Sequence, residues 1–316
     1  MHHFTELADV PDLPHLLETA KTVAQSPFSL DTLGRHKTLG LIFFNSSLRT
    51  RLSSQKAARN LGMEVIVMNV STDGWQLEFQ DGAIMNQGKA EHIKDAAAVM
   101  GSYCDILGVR SFPSLTDRDA DYAEQVLTAF KKYSGVPVVS LESATRHPLQ
   151  SLTDVFTIQS HWPDHRPKVV LTWAPHPRAL PQAVANSFAE WMNPLDVDFV
   201  ITHPEGYELH ADFVGSATVT HDQRAAFEQA DFIYAKNWSS YSEYGQILRA
   251  DEEWMVTAEK MALTRQAKFM HCLPVRRNVV VADEVMDSAQ NITIEQAGNR
   301  VVGMQAVLVE ILQNIG

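Results

Sequence analysis

The stretch that decides the fold is FFNSSLRTR, residues 43–51, in which an apolar run passes directly into a polar segment with helical spacing. The pattern predicts a strand followed by a helix whose first turn carries hydroxyl groups and two arginines. Free N–H groups at a helix start, serine and threonine donors and a forked guanidinium all favour a bound dianion. Arginine in a first turn opposes the helix dipole, so an anion would supply the missing compensation. The stretch therefore predicts a phosphate site, although Ser47 could equally be a simple helix cap followed by solvated arginines.

Apolar runs with strand character recur outward from this stretch and alternate with amphipathic segments. Such alternation predicts α/β architecture with parallel sheets. We expect two parallel α/β domains, residues 1–150 and 151–298, with a C-terminal helix, 299–316, packing back on the first. The predicted strands span residues 38–44, 65–70, 106–109, 136–141, 169–173, 199–202, 232–235 and 269–272.

The helix after the first strand places Leu48, Leu52 and Leu61 on roughly one face. We expect the helix to stop at Gly62, because glycine suits the left-handed C-terminal cap.

Composition narrows the class of protein. The 316 residues are 45% hydrophobic, enough for a large core, and carry a net charge of −12 without a basic run. This balance argues against nucleic-acid or membrane-surface partners. No run of about 18 apolar residues predicts a membrane span, and residues 1–14 do not read as a signal peptide, so we expect a cytoplasmic enzyme. Cys104 and Cys272 are expected to be free thiols, and no metal-ligand cluster is visible.

Three short motifs stand at predicted strand ends, where ligands bind in open parallel sheets. Alone, each has a structural explanation: a helix cap, a surface histidine or a buried cysteine. They are Ser47-Leu48-Arg49-Thr50-Arg51, His147-Pro148-Leu149-Gln150 and His271-Cys272-Leu273-Pro274.

In this order the three motifs resemble the aspartate/ornithine transcarbamylase superfamily. The resemblance implies that carbamoyl phosphate is the donor and that no cofactor or metal is needed. It implies Arg110, His147, Gln150 and Cys272 as catalytic residues, with Cys272 acting through its main-chain position rather than as a nucleophile. The donor-binding residues that it implies are Ser47, Leu48, Arg49, Thr50, Trp75, Arg110, His147, Gln150, Cys272, Leu273 and Arg300.

The second half resembles the acylornithine branch of that superfamily. The branch is marked by WAPHPRALP, residues 173–181, and AKNW, residues 235–238, and the Ser-Met-Gly loop of ornithine transcarbamylases is absent. The resemblance implies a trefoil knot in the C-terminal domain and a homotrimer in which Trp75 reaches a neighbouring subunit's site. The acceptor-binding residues that it implies are Glu142, His176, Lys236, Arg276 and Ala90.

The acceptor depends on the charge near Ala90. Acetyl-specific members of the branch place glutamate at this position and succinyl-specific members place proline. A carboxylate would repel the second carboxylate of a succinyl arm, and alanine has none. We therefore expect transfer to the δ-amine of N-succinylornithine, with N-acetylornithine as the alternative. A non-catalytic protein that binds a phosphorylated ligand is the rival from another class.

Overall fold

A computed structural model describes residues 1–248 and 251–315. The chain forms two compact units. Unit 1 comprises Met1–Ser114, Asp119–Leu149 and the residues from Arg300 onward. Unit 2 comprises Leu115–Arg118 and Gln150–Asn299.

The strands in chain order are β1 Thr38–Phe43, β2 Glu64–Asn69, β3 Leu77–Glu78, β4 Glu91–His92, β5 Ile106–Arg110, β6 Val138–Glu142, β7 Lys168–Trp173, β8 Asp198–Thr202, β9 Thr218–Thr220, β10 Phe232–Lys236 and β11 Lys268–Met270. The α-helices are α1 Leu13–Gln25, α2 Arg49–Asn60, α3 Val70–Asp73, α4 Ile93–Tyr103, α5 Arg118–Tyr122, α6 Gln125–Tyr133, α7 Pro148–Ser160, α8 Ala183–Met192, α9 Ala211–Val214, α10 Gln223–Phe227, α11 Ala258–Met261, α12 Asp283–Met286, α13 Thr293–Gly298 and α14 Arg300–Ile315.

Unit 1 is built on a parallel sheet in the order β2-β1-β5-β6. The register pairs Phe43 with Arg110, and Arg110 with Glu142 after an irregularity in β5. The carboxyl ends of three neighbouring strands therefore lie side by side, which is where parallel sheets place their ligands.

Unit 2 is built on a second parallel sheet in the order β11-β10-β7-β8-β9. Valine, isoleucine and phenylalanine side chains of these strands are buried against the surrounding helices, including Val170, Ile233 and Phe269. The predicted α/β class with two parallel-sheet domains is confirmed. All eight predicted strands are present, and the short strands β3, β4 and β9 are additional.

Helix α2 and its two capping residues bury only one of three leucines. Leu48 and Leu52 are 68% and 60% exposed, and only Leu61 is fully buried. The buried face of α2 consists of small and polar side chains such as Ser54, Ala57 and Ala58. The predicted stop is present, since Gly62 has a φ of +80°.

Small side chains on α2 allow α14 to pack closely against it, and α14 also packs on α1. The buried Asn60 side-chain amide donates to Gln305 Oε1 at 2.9 Å. Thr19 Oγ1 donates to Glu310 Oε1 at 2.8 Å. These contacts hold the residues from Arg300 onward within unit 1. No helix among the described residues is both long and apolar enough to cross a bilayer.

Candidate active site

Polar side chains of unit 1 gather where β1, β5 and β6 end and where α14 begins. We call them the arginine cluster; its members are Ser47, Thr50, Arg110, Glu142, His147 and Arg300.

Two guanidinium groups meet at the start of α2. Arg110 Nη1 donates to Ser47 Oγ at 2.8 Å and to Thr50 Oγ1 at 3.2 Å. Arg300 Nη2 donates to the same Thr50 hydroxyl oxygen at 2.6 Å. Neighbouring cations repel each other, so two guanidinium groups placed on the same hydroxyl at a helix start favour an anion.

Glu142 ties Arg110 to the loop after β6. Its Oε2 lies 3.2 Å from Arg110 Nη2 and 3.6 Å from His147 Nε2. The two side chains of the Arg110–Glu142 pair are each 11% exposed. This carboxylate balances part of the positive charge and orients the guanidinium, because an ion pair of this kind is directional.

His147 is buried, at 2% exposure, and its Nε2 lies 3.4 Å from Arg300 Nη2. Burial holds the pKa of His147 well below its usual value, and the charges of Arg300 and Arg110 lower it further. The imidazole is therefore neutral at physiological pH and can donate one N–H to a bound oxygen atom.

The lowered pKa of His147 makes stability depend on pH. The ordinary pKa of histidine, 6.5, applies to the unfolded chain. At a pH between the lowered folded pKa and 6.5, the unfolded chain binds a proton that the folded chain does not. The free energy of unfolding is therefore highest above pH 6.5 and falls as the pH drops below it. Below pH 6.5, the free energy of unfolding of the wild type should fall relative to that of His147→Gln by up to about 1.4 kcal/mol per pH unit. Urea unfolding at pH 7.5, 6.5 and 5.5 measures the difference. A wild-type advantage that stays constant or grows with acidity would contradict this assignment.

Four other predicted residues of unit 1 are Leu48, Arg49, Trp75 and Ala90. The Leu48 side chain is exposed, so only its main chain could bind a phosphate. Arg49 is half-buried in the first turn of α2. Trp75 is 57% exposed and its indole N–H donates to Glu91 at 2.9 Å, while Ala90 is exposed beside β4.

In unit 2, three buried side chains form what we call the carboxamide network: Gln150, Asp154 and Gln296. Gln150 Nε2 donates to Asp154 Oδ1 at 2.8 Å, and Gln296 Nε2 donates to the same oxygen at 2.6 Å. The backbone N–H of His271 donates to Gln296 Oε1 at 3.0 Å. The network thus links α7 to the segment that starts at His271.

Cys272 and Leu273 follow directly on that segment. Cys272 is a half-buried cysteine. Leu273 donates its N–H to His271 Nδ1 at 2.8 Å and precedes a cis peptide bond to Pro274. Burial and the nearby Asp154 carboxylate raise the pKa of Tyr234 well above its usual value, so its hydroxyl stays protonated beside Cys272.

A second group of unit 2 combines His176, Lys236 and Arg276. Arg276 Nε donates to His176 Nε2 at 3.1 Å. Burial lowers the pKa of His176, and the charges of Lys236 and Arg276 lower it further. Lys236 is buried and its Nζ donates to the Asn237 carbonyl at 2.8 Å. Two cations therefore surround a neutral imidazole, an arrangement suited to a carboxylate.

The proline-rich segment 174–181 and the segment 236–239 are bonded to each other. Ala174 N–H donates to the Lys236 carbonyl at 3.1 Å, and Asn237 Nδ2 donates to the Ala174 carbonyl at 2.7 Å. Ser239 N–H donates to the Leu180 carbonyl at 2.9 Å. The two segments that marked the acylornithine branch in sequence thus form one structural element.

Within residues 1–248 and 251–315, no three His, Cys, Asp or Glu side chains are grouped as metal ligands. Sequence reasoning missed Asp154, Tyr234 and Gln296. Asp154 could have been found, because it lies four residues after Gln150 on the same helix face. Tyr234 and Gln296 carried no such local signal.

Two models of one protein family match this chain. Residues 2–160 match the family model "Aspartate/ornithine carbamoyltransferase, carbamoyl-P binding domain". Residues 181–311 match "Aspartate/ornithine carbamoyltransferase, Asp/Orn binding domain".

Full-length relatives differ in their acceptor. The chain is 56% identical to N-succinylornithine carbamoyltransferase of Bacteroides thetaiotaomicron, over 100% of both chains. It is 36% identical to N-acetylornithine carbamoyltransferase of Xanthomonas campestris pv. campestris, over 99% of this chain and 98% of the relative. A solved N-acetyl-L-ornithine transcarbamylase, in which one glutamate is replaced by alanine, is complexed with carbamyl phosphate and N-succinyl-L-norvaline. That structure matches at a TM-score of 0.91 and 36% identity, over 98% of this chain and 100% of the solved chain.

Proposed function

Because the chain belongs to the aspartate/ornithine carbamoyltransferase family, we propose that it transfers the carbamoyl group of carbamoyl phosphate to the δ-amine of N-succinyl-L-ornithine. The products are N-succinyl-L-citrulline and phosphate, in arginine biosynthesis. One observation carries the choice of acceptor. Identity is 56% with a succinylornithine enzyme over the full length, against 36% with an acetylornithine enzyme.

The arginine cluster supports the donor half of the proposal. Ser47, Arg49 and the first-turn amides, including that of Leu48, bind the phosphate, while Arg110, Thr50 and His147 bind the carbonyl oxygen. Arg300 holds Thr50 and His147 in place and adds positive charge near the phosphate. Contacts with one another hold these donors in place, so they stabilise developing negative charge without reorganising.

The chemical step forms one bond and breaks one. The neutral δ-amine attacks the carbonyl carbon, giving a tetrahedral oxyanion beneath Arg110 and His147. The bond from that carbon to the phosphate oxygen then breaks, and the departing phosphate takes up the proton that the amine loses. Gln150 and the main chain of Cys272 and Leu273 hold the carbamoyl NH₂, so Cys272 contributes by position.

The group of His176, Lys236 and Arg276 supports the acceptor half. N-succinylornithine carries two carboxylates, and the buried Lys236 and the Arg276 guanidinium are matched to such charges. Glu142 is the last residue of β6, and we assign its carboxylate to bind the acceptor's amide or amine.

Ala90 supports succinyl over acetyl. The sequence resemblance puts glutamate at this position in acetyl-specific enzymes, and Ala90 brings no carboxylate to repel a succinyl arm. A solved acetylornithine enzyme with a glutamate-to-alanine change is complexed with N-succinyl-L-norvaline.

The assembly follows from the same family resemblance. We propose a cytoplasmic homotrimer in which exposed Trp75 reaches the partner's donor site. The hydrogen bonds between segments 174–181 and 236–239 fit the proposed trefoil knot, in which the first segment encloses the second.

The deciding experiment incubates the purified protein with carbamoyl phosphate and N-succinylornithine, N-acetylornithine or ornithine, and measures phosphate release and product mass. We expect kcat/KM for N-succinylornithine to exceed that for N-acetylornithine by about 10- to 100-fold, because a site built for a charged group rejects the analogue that lacks it. A preference for N-acetylornithine would select the alternative acceptor. Absence of turnover with all three would favour the non-catalytic binder.

A further inference from the structure

The side-chain amide of Gln150 is fully buried, and its nitrogen and oxygen differ in their hydrogen bonding. Its Nε2 donates to Asp154. Its Oε1 accepts no hydrogen bond within the described part of the chain. A buried acceptor without a partner is costly, so this oxygen is available for a donor on a ligand.

The direction of this amide is set by a chain of contacts that begins at the backbone. The N–H of His271 can only donate, so it requires the oxygen of Gln296 to face it. Gln296 must then turn its NH₂ toward Asp154, whose Oδ1 receives it at 2.6 Å. The same oxygen receives Gln150 Nε2, which leaves Gln150 Oε1 as the end that faces away from Asp154.

We propose that Asp154 is a positioning residue that selects the carbamoyl group of the donor, by fixing Gln150 so that a hydrogen-bond acceptor meets the donor's NH₂. This inference rests on the proposed function and adds donor selectivity to it. The contacts that carry it lie within unit 2 and join α7, α13 and the segment after β11.

The chemistry predicts which donors are rejected. Acetyl phosphate has the same phosphate and the same carbonyl, but a methyl group in place of NH₂. A methyl group cannot donate to Gln150 Oε1, so the buried oxygen would stay unpaired. Carbamoyl phosphate satisfies it, and the two donors are thus separated at the one position where they differ.

Two substitutions at Asp154 separate polarity from charge. Asp154→Leu removes the acceptor and lets the Gln150 amide turn either way. Asp154→Asn loses the charge, but Gln296 still requires an oxygen at the shared position, so Gln150 keeps its direction. The measurements are kcat/KM for carbamoyl phosphate and the competitive inhibition constants of acetyl phosphate and inorganic phosphate.

For Asp154→Leu we expect kcat/KM for carbamoyl phosphate to fall about 10- to 100-fold, while both inhibition constants change less than about threefold. For Asp154→Asn we expect the wild-type ratio between carbamoyl phosphate and acetyl phosphate to be kept within about threefold. Asp231→Asn is the matched control, because Asp231 of the same unit also accepts two hydrogen bonds, from the Lys168 N–H and from His165. It should leave all three constants unchanged.

The inference would be overturned if Asp154→Leu weakened the binding of carbamoyl phosphate, acetyl phosphate and inorganic phosphate equally. It would also be overturned if this variant discriminated between carbamoyl phosphate and acetyl phosphate as well as the wild type does. If the leucine variant does not fold, Asp154→Ser serves instead, since a hydroxyl can donate or accept and imposes no direction on Gln150. It should lose discrimination in the same sense, and unchanged discrimination would overturn the inference. Failure of the proposed function looks different, because the wild type itself would then release no phosphate.

Discussion

Replacing Arg110 with methionine should lower kcat at saturating substrates by at least about 10³-fold, because preorganised donors to a developing oxyanion are among the largest contributions to catalysis. Arg110 donates to both Ser47 and Thr50 and forms the ion pair with Glu142. Methionine keeps most of the volume but none of the donors. Steady-state kinetics with carbamoyl phosphate and N-succinylornithine measures the loss, which should fall mainly on kcat rather than KM.

Two further variants make the Arg110 result specific. Arg110→Lys keeps the charge but lacks the planar fork, so we expect an intermediate loss. Arg224→Met removes an exposed arginine that pairs with Glu259 at 2.8 Å, and it should keep wild-type kcat. A loss of less than tenfold in Arg110→Met would remove Arg110 from the catalytic residues.

Replacing Ala90 with glutamate should shift the preference from N-succinylornithine toward N-acetylornithine by about 100-fold or more. Two like charges about 4 Å apart repel by roughly 4 kcal/mol near a protein surface, and only the succinyl arm carries the second carboxylate. The measurement is the ratio of kcat/KM for the two acceptors. Ala90 is exposed in the single chain, so the variant should fold.

Ala90→Gln is the matched control, because glutamine has the size of glutamate without its charge. We expect it to shift the preference much less than glutamate does, and added salt should reduce the effect of glutamate alone. Equal shifts in the two variants would mean that size, not charge, selects the acceptor. An unchanged preference in both would show that Ala90 is not the sensor.

Sequence patterns predicted the strands well because a parallel sheet buried on both faces requires continuous apolar runs. β1, β5 and β6 are such runs, and the polar residues at and beyond their carboxyl ends include Ser47, Arg110 and His147. β9 was missed since it has three residues, none of them buried. β3 and β4 have two residues each and offer no periodicity.

Packing of α2 could not be read from its own residues. Leu48 and Leu52 are exposed, whereas α14 packs against a face of small side chains. That partner lies about 250 residues away in sequence, and periodicity reports only on local order. The contact of Arg300 with Thr50 could not be predicted for the same reason, because the two residues are 250 positions apart. The contact of Asp154 with Gln150 could have been predicted, because the two residues are one helical turn apart.

The return of α14 to unit 1 has a consequence for synthesis on the ribosome. Thr50 is made 250 residues before Arg300, and at 5–20 residues per second that stretch takes roughly 12–50 s to translate. Throughout that interval the nascent chain exposes the face of α2 that α14 later covers. The proposed donor site therefore stays incomplete until α14, one of the last segments of the chain, has been made.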